Sequence, residues 1–315
     1  MRAVTIRSGE LQWVDQPDPI PSGSELLVAV RAAGVNPADL IQLRGHYPAP
    51  PGSPPDIPGL ELAGEVVAVG PRVLQHQVGD RVMALVGGGA QAELALVEES
   101  SAIRIPDSVG WIAAGGFPEA FSTAYDALFT QGRLGLGERL LVTGAAGGVG
   151  TAAVQLAAAA GARVTASVRS PARRAEVEAL GAAQALEPDQ ALEAGPFDLV
   201  LELVGGPKLA EAVRRLDQGG RLVVIGVGAG RSLELDLSAL MSRRAQVFAS
   251  TLRARPPFEK AAVARAVEKR VVPLLASGRC AVQVAGTYPL AEAGAAYQRL
   301  AAGGNLGKIV LVSAG

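Results

Sequence analysis

Residues 139–160 read RLLVTGAAGGVGTAAVQLAAAA. A short apolar run is followed by glycines at 144, 147, 148 and 150, and then by an alanine-rich segment from Thr151. That succession predicts a strand over 139–143, a tight turn, and a helix over 151–160. Each glycine has a distinct use in such a turn. Gly144 lets the chain turn sharply after the strand. Gly147 and Gly148 let the backbone approach a pyrophosphate, and Gly150 lets the helix pack closely on the strand. The helix N-terminus then presents free N–H groups and the positive end of its dipole to phosphate. A tight turn with no ligand satisfies the bare pattern as well, and a P-loop is excluded because no Gly-Lys-Ser/Thr follows.

Outward from this stretch the texture is regular on one side and irregular on the other. Downstream, predicted strands at 163–167, 198–203, 221–226 and 247–251 alternate with helical segments at 172–180 and 208–216, which implies parallel βαβ units in a doubly wound sheet. Upstream, short strands at 3–6, 26–32, 61–69 and 81–85 are separated by Pro and Gly clusters, notably 47–58, and read as an irregular, mostly β domain. The tail carries helices at 258–277 and 290–301 and a strand at 307–312 that returns to the first domain. The reading is therefore a split β domain, 1–117 and 256–315, around an inserted α/β domain, 118–255. The uncharged run 140–161 is long enough to suggest a membrane span. Its glycines and its strand-turn-helix pattern favour a buried strand and helix instead.

The second strand of a βαβ unit states which dinucleotide fits. An NAD site places an acid at its end, about 20 residues past the glycines, to bond the ribose 2′-hydroxyl. Here residues 165–170 read TASVRS, with no acid, and Arg169, Arg173 and Arg174 stand nearby. Guanidinium groups bind a 2′-phosphate through paired, charge-assisted bonds, whereas a carboxylate would repel it. NADPH is the expected cofactor, although arginines on a solvated helix face would look the same.

The bulk properties exclude several classes. A net charge of −1 gives no electrostatic reason to expect nucleic acid or an anionic membrane as partner. The single cysteine, Cys280, rules out an internal disulfide and a multi-cysteine zinc site. No signal-peptide core is apparent in MRAVTIRSGEL, so a cytoplasmic protein is the default expectation. The two histidines, His46 in a Pro-rich loop and His76 in a polar turn, read as surface residues.

Longer motifs carry a resemblance. AAGVNPADL (32–40), PGLELAGEVVAVG (58–70), VGDRVMAL (78–85), FPEAFSTAYDAL (117–128) and NLGKIVL (305–311) together resemble the zinc-free, zeta-crystallin-like quinone oxidoreductases of the medium-chain dehydrogenase/reductase superfamily. The resemblance implies a GroES-like catalytic domain split around a Rossmann domain, and a homodimer or tetramer paired through the last Rossmann strand. It places Asn36 and Thr123 near the nicotinamide, and Gly144 and Ala146, Gly147, Gly148 and Val149 at the pyrophosphate. Ser167, Arg169 and Arg173 fall at the 2′-phosphate, and Val204, Gly205, Gly226 and Val227 along the cofactor. Leu252 and Asn305 would close over it, and Tyr47 would lie in the substrate pocket.

Zinc-dependent relatives carry a cysteine soon after Gly-Val, a Gly-His-Glu segment and a four-cysteine lobe. The corresponding residues here are Gly34-Val35-Asn36, Gly59-Leu60-Glu61 and a short connection with no cysteine. No metal is expected. Without one, the substrate must supply its own electron sink, as a quinone or an α,β-unsaturated carbonyl does. The expectation is an NADPH-dependent, metal-independent quinone oxidoreductase, with Tyr47 and Asn36 as candidate catalytic residues. An enone or enoyl-thioester reductase is the enzymatic alternative. A low-turnover NADPH-binding structural or RNA-binding protein is the non-enzymatic one, disfavoured by the absence of a basic, aromatic-rich patch.

Overall fold

The structure is a computed structural model and describes residues 1–232 and 234–313. The chain forms two compact units, Met1–Ser122 together with the segment from Leu252 onward, and Thr123–Thr251.

In the first unit, β1 (Arg2–Arg7) and β2 (Glu10–Asp15) form a hairpin. Its turn places Ser8 and Gly9 both at positive φ, 51° and 80°, the conformation whose twist matches that of the flanking strands. The main sheet is built on β3 (Glu25–Val35), β4 (Glu61–Val69), β5 (Arg81–Leu85), β6 (Leu94–Glu98) and β7 (Ala102–Arg104). Alternate residues of β3 point inward, so Leu26, Val28 and Val30 pack with Leu62, Val66, Val82 and Val97 as one buried core. Such alternation is what an antiparallel sheet with one wet face requires.

The inserted unit is a six-stranded, wholly parallel sheet. Its strands are β8 (Arg139–Val142), β9 (Arg163–Ser167), β10 (Gln184–Leu186), β11 (Phe197–Glu202), β12 (Leu216–Val224) and β13 (Gln246–Ala249). Their order, β10-β9-β8-β11-β12-β13, is that of the Rossmann dinucleotide-binding fold, with the switch point between β8 and β11. The uncharged run that could have spanned a membrane divides into β8, the glycine turn and a twelve-residue helix, Gly148–Ala159. Among the described residues no helix is long and apolar enough to cross a membrane.

The tail re-enters the first unit. In it, β14 (Val284–Pro289) lies parallel to β15 (Lys308–Val312), which pairs antiparallel with β3, Ile309 opposite Val35 and Val312 opposite Ala32. The fold is thus a Rossmann domain inserted in a GroES-like, mostly β domain.

Several elements differ from the sequence reading for identifiable reasons. The helix expected over 258–277 is two, Pro257–Arg270 and Val272–Ala276. Pro273 lacks the N–H that would bond Lys269 and its ring crowds that carbonyl, so the helix breaks at Val271. Strand β12 starts at Leu216 rather than Arg221, because Gly219 and Gly220, the former at φ 73°, hide a strand that passes through a register shift. The helix expected at 172–180 opens as a 3₁₀ turn, Pro171–Arg173, before Arg174–Ala179.

Charged residues stitch the N-terminal edge of the parallel sheet. Arg221 of β12 binds both carboxylate oxygens of Glu138 at 2.8 Å and donates to the carbonyls of Gly132, Arg133 and Asp198. Arg139 bonds Asp198 and Asp217. The Arg221 guanidinium holds the Glu138 carboxyl below the usual carboxylate range. Removing one partner of a buried pair costs about 3–5 kcal/mol. Glu138 is 26% exposed, so Arg221→Met should cost roughly 2–3 kcal/mol in chemical denaturation at pH 7. Because the folded-state pKa of Glu138 is depressed, its contribution is present above the ordinary pKa and lost as pH falls through the folded value. The gap between parent and variant should therefore narrow below about pH 4.

Candidate functional site

In the inserted unit the C-terminal ends of β8, β11 and β12 converge. The three outer glycines of the turn do three different things. Gly144 adopts φ 59°, and a Cβ on it would sit 3.1 Å from Val204 Cγ2. A Cβ on Gly150 would fall 2.5 Å from the Gly144 carbonyl oxygen and 2.6 Å from Ala145 Cα, so helix–turn packing excludes a side chain there. Gly147 is different. It caps the helix Gly148–Ala159 with φ −74°, which any residue adopts, and a Cβ would meet only the Gly144 oxygen at 3.4 Å. The fold does not need a glycine at 147. A ligand approaching the exposed loop and the unpaired first-turn N–H groups of 148–150 would. Ala146 and Val149 are half-buried beside it.

One residue that sequence reasoning missed organises this edge. Glu202, buried at the end of β11, accepts through Oε1 from the Thr143 hydroxyl at 2.8 Å and from the N–H groups of Val204 and Gly205 at 2.7 and 2.8 Å. The Thr143 Oγ in turn accepts from the Leu203 N–H at 2.8 Å, and the Glu202 carbonyl accepts from Ile225 and Gly226. Thr143, Gly144, Val204, Gly205 and Gly226 are brought together by this arrangement, and the side chains of Val204 and Val227 stand 41% and 42% exposed. The available signal was an acid at a strand end directly before Leu-Val-Gly-Gly. Thr123 is buried on the helix Pro118–Tyr125.

At the end of β9, Ser167 is buried, its carbonyl accepting from Ala145 N–H at 3.2 Å, and Arg169 is exposed. Arg173 is less available than the sequence suggests, since its Nη1 binds both oxygens of Glu176 at 3.0 and 2.9 Å. Arg174 donates to the Val168 carbonyl.

In the GroES-like unit the positions that would ligate zinc in metal-dependent relatives form a cluster of another kind. Asn36 caps the helix Pro37–Leu43 and is 4% exposed. Its Nδ2 donates to Glu61 Oε1 at 3.0 Å, and its Oδ1 accepts from Lys308 Nζ. Lys308 lies 2.6 Å from Glu61 Oε1, and Glu61 Oε2 accepts the Glu119 N–H at 2.8 Å. Gly34 leaves the space that the Glu61 carboxylate occupies, since a Cβ there would lie 2.0 Å from Oε1. A zinc ion would meet an ammonium already seated on the only carboxylate of the three positions, so these residues do not fit the metal. Among the described residues no group of three or more His, Cys, Asp or Glu could hold one. Next to this cluster Asp39 accepts from Asn36 N–H at 2.8 Å, and complete burial pushes its pKa up to about 6.

Tyr47 is half-buried in its Pro-rich loop, with the Arg253 guanidinium 4.8 Å from its ring centre. Leu252 is buried. Asn305 donates weakly to the Arg299 carbonyl at 3.5 Å, and its buried Oδ1 has no hydrogen-bond partner. His46 is exposed, as read. His76 is not: its side chain is 3% exposed against Glu99. The Glu99 carboxylate gathers the N–H groups of Leu74, Gln75 and His76 and draws the turn inward, which a scan for polar turns cannot see.

Comparison with known proteins accords with this geometry. Residues 22–107 match the alcohol dehydrogenase GroES-like domain, and 148–268 match the family described as zinc-binding dehydrogenase. The quinone oxidoreductase of Thermus thermophilus, solved alone and with NADPH, is 34% identical, with 99% of this chain and 100% of that one covered and a TM-score of 0.85. The quinone oxidoreductase of Lama guanicoe is 29% identical over 93% of this chain and 90% of its own length. A polyketide synthase of Streptomyces halstedii is 39% identical over 69% of this chain, and one from Mycobacterium tuberculosis 32% identical over 92%. The chain spans only 4% and 14% of the length of these two relatives.

The fold is the nicotinamide-dinucleotide-binding fold of the medium-chain dehydrogenase/reductase superfamily. Within it the chain belongs to the quinone oxidoreductase-like family.

The contrast between the glycines is testable. Gly147→Val should cost no more than about 1 kcal/mol of stability, the loss of a glycine N-cap, while abolishing nicotinamide-dinucleotide binding in a fluorescence titration. Gly150→Val should instead lose roughly 1–3 kcal/mol or more of stability through overpacking.

Proposed function

We propose that the chain is an NADPH-dependent, metal-independent quinone oxidoreductase. The observation that carries the reading is the Asn36–Glu61–Lys308 cluster, where the Lys308 ammonium pairs with Glu61 and donates to Asn36 Oδ1, so two positions that correspond to the zinc-ligand segments of metal-dependent relatives are already engaged with an internal cation. With no Lewis acid assigned, the acceptor must delocalise charge itself. A quinone does so, taking up one hydride and one proton and becoming the hydroquinone.

Bound NADPH supplies the hydride in this proposal. The chain's own residues bind and orient. Gly147, Gly148 and the first-turn N–H groups hold the pyrophosphate, and Glu202 keeps the loop at Val204 and Gly205 in shape. Asn305 offers its unsatisfied Oδ1 as an acceptor. The Tyr47 hydroxyl donates to the oxygen on which negative charge grows, worth roughly 2.7–4 kcal/mol where such a donor acts fully. Asn36 has one amide hydrogen left after bonding Glu61, which would be the donor to the nicotinamide ribose or the substrate oxygen. The exposed edge strand β13 would pair with a second copy to give the homodimer, in a cytoplasmic protein.

A second reading is reduction of an enone or enoyl thioester by hydride addition at the β-carbon. The polyketide synthases among the relatives favour it. Purified protein assayed with NADPH against a panel of quinones, enones and enoyl thioesters decides between them. Turnover should be highest with quinones and should survive prolonged chelation. An enoyl thioester as the best acceptor would replace the first reading with the second, and loss of activity on chelation would end the metal-free assignment.

Cofactor choice gives a sharper test. The preference for NADPH over NADH in kcat/KM should be about tenfold to a few hundredfold, or roughly 1.4–3.5 kcal/mol. Arg169→Ala should remove most of it through KM for NADPH. Arg173→Ala should remove less, because Glu176 already holds that guanidinium, and Glu176→Gln should lower KM for NADPH by freeing it. NADH constants should stay within about twofold throughout, since neither side chain meets a 2′-phosphate there.

A further inference from the structure

We propose that Arg253 is a positioning residue for the Tyr47 hydroxyl, clamping the Pro-rich loop that carries it. The inference rests on the reading of Tyr47 as donor.

The Arg253 side chain reaches three separate segments of its unit. Its Nε donates to the Gly87 carbonyl at 2.8 Å, its Nη1 to the Tyr47 carbonyl at 2.9 Å, and its Nη2 to Gln42 Oε1 at 2.6 Å. The same guanidinium lies over the Tyr47 ring. Tyr47 is therefore held twice by one group, through its backbone and through its face, which makes the hydroxyl the far end of a fixed lever.

The loop needs such a hold. Residues 48–58 contain six prolines, each without a backbone donor, so the segment has few donors of its own: Ser53 N–H bonds the Pro50 carbonyl, and the N–H groups of Ile6, Gly89 and Gln91 tie down Asp56, Ile57 and Pro58 at the end remote from Tyr47. Opposite the clamp, Gly87 lets Pro50 and Ser53 press onto the connection after β5, where a Cβ would fall 2.2 Å from Ser53 Oγ.

Arg253 is 5% exposed and the acceptors it reaches at Gly87, Tyr47 and Gln42 are all neutral, while the charges of Asp39 and Glu119 attract it electrostatically. Burial outweighs that attraction and holds the guanidinium below the usual arginine pKa, so it gains less from folding than one paired directly with an acid. Anchoring of chain segments accounts for the arrangement better than stability does. Arginine suits the task because its rigid fork addresses several acceptors at once, which a lysine ammonium on a flexible stem does not.

The test is a double-mutant cycle on purified full-length protein, with kcat, KM for NADPH and thermal stability read for the parent, Tyr47→Phe, Arg253→Met and the double variant. Arg253→Met should lower kcat by about the same factor as Tyr47→Phe, on the order of tenfold or more, with KM for NADPH within about twofold. In the Tyr47→Phe background, Arg253→Met should cost less than about a further twofold, because the hydroxyl it positioned is gone. Arg253→Lys should recover only part of kcat. Equal loss on adding Arg253→Met in both backgrounds, or an unchanged kcat in Arg253→Met alone, overturns the positioning role and leaves Tyr47 as donor. An unchanged kcat in Tyr47→Phe overturns the donor reading itself and the inference with it. If Arg253→Met does not fold, the same cycle with Arg253→Lys decides by the same criterion.

Discussion

The ammonium of Lys308 lies 2.6 Å from the carboxylate of Glu61, with both side chains withdrawn from water, and the β unit is arranged round that pair. Glu61 begins β4, Lys308 begins β15, and Asn36 closes the triangle from the end of β3. Either charge left alone in this place would be costly, so the pair admits few alternatives to the observed register. A one-residue slip of β15 against β3 would turn Lys308 to the opposite face and strand the carboxylate. Gly34 is tied to the same requirement, since its missing side chain is the space that the carboxylate fills. The cluster thus sets how the tail joins the sheet, and it also sets the electrostatic character of the ground beside Asn36, where a fixed ammonium stands against the carboxylate.

The inserted unit separates strength from function along its strands. At the N-terminal edge, Arg139, Asp198, Asp217, Glu138 and Arg221 knit three strand beginnings together with ion pairs. At the C-terminal edge, short bonds from Glu202 and Thr143 hold three strand ends, while the outermost features are bare backbone and two exposed valines. Charge is concentrated where no dinucleotide is expected. A surface of N–H groups and small residues is left where one is, as open parallel sheets arrange it at their switch points. The three outer glycines of the turn express this division within seven residues: 144 and 150 serve the chain's own geometry, and 147 leaves room for something else.

Local pattern was enough to read the Rossmann unit, because β8, β9, β11 and the glycine turn are each written in contiguous residues. The return of the final strand was legible for the same reason. Elements whose pattern is short or interrupted were not: β10 has three residues, β12 runs through two glycines, and Pro273 divides what periodicity presents as one helix. The site divides in the same way. Asn36, Gly147 and Tyr47 could be named from motifs, but the groups that hold Asn36 and Tyr47 lie 272 and 206 residues away in the chain. No window along the sequence contains Asn36 with Lys308 or Tyr47 with Arg253. His76 was misplaced for a related reason, since its burial follows from a carboxylate 23 residues downstream that gathers the turn from behind.

The pairing of β15 with β3 sets an order of assembly. During synthesis Lys308 emerges only after the whole segment Thr123–Thr251 has been made, so a contiguous unit with all six of its strands in hand can close first. Until then β3 lacks its β15 neighbour on one side along 32–35 and Glu61 lacks the Lys308 ammonium, leaving a nascent sheet with an open edge and a carboxylate that burial would penalise. The nascent β unit is therefore the part of the chain that keeps an open strand edge longest, and β15 is the latch that closes it.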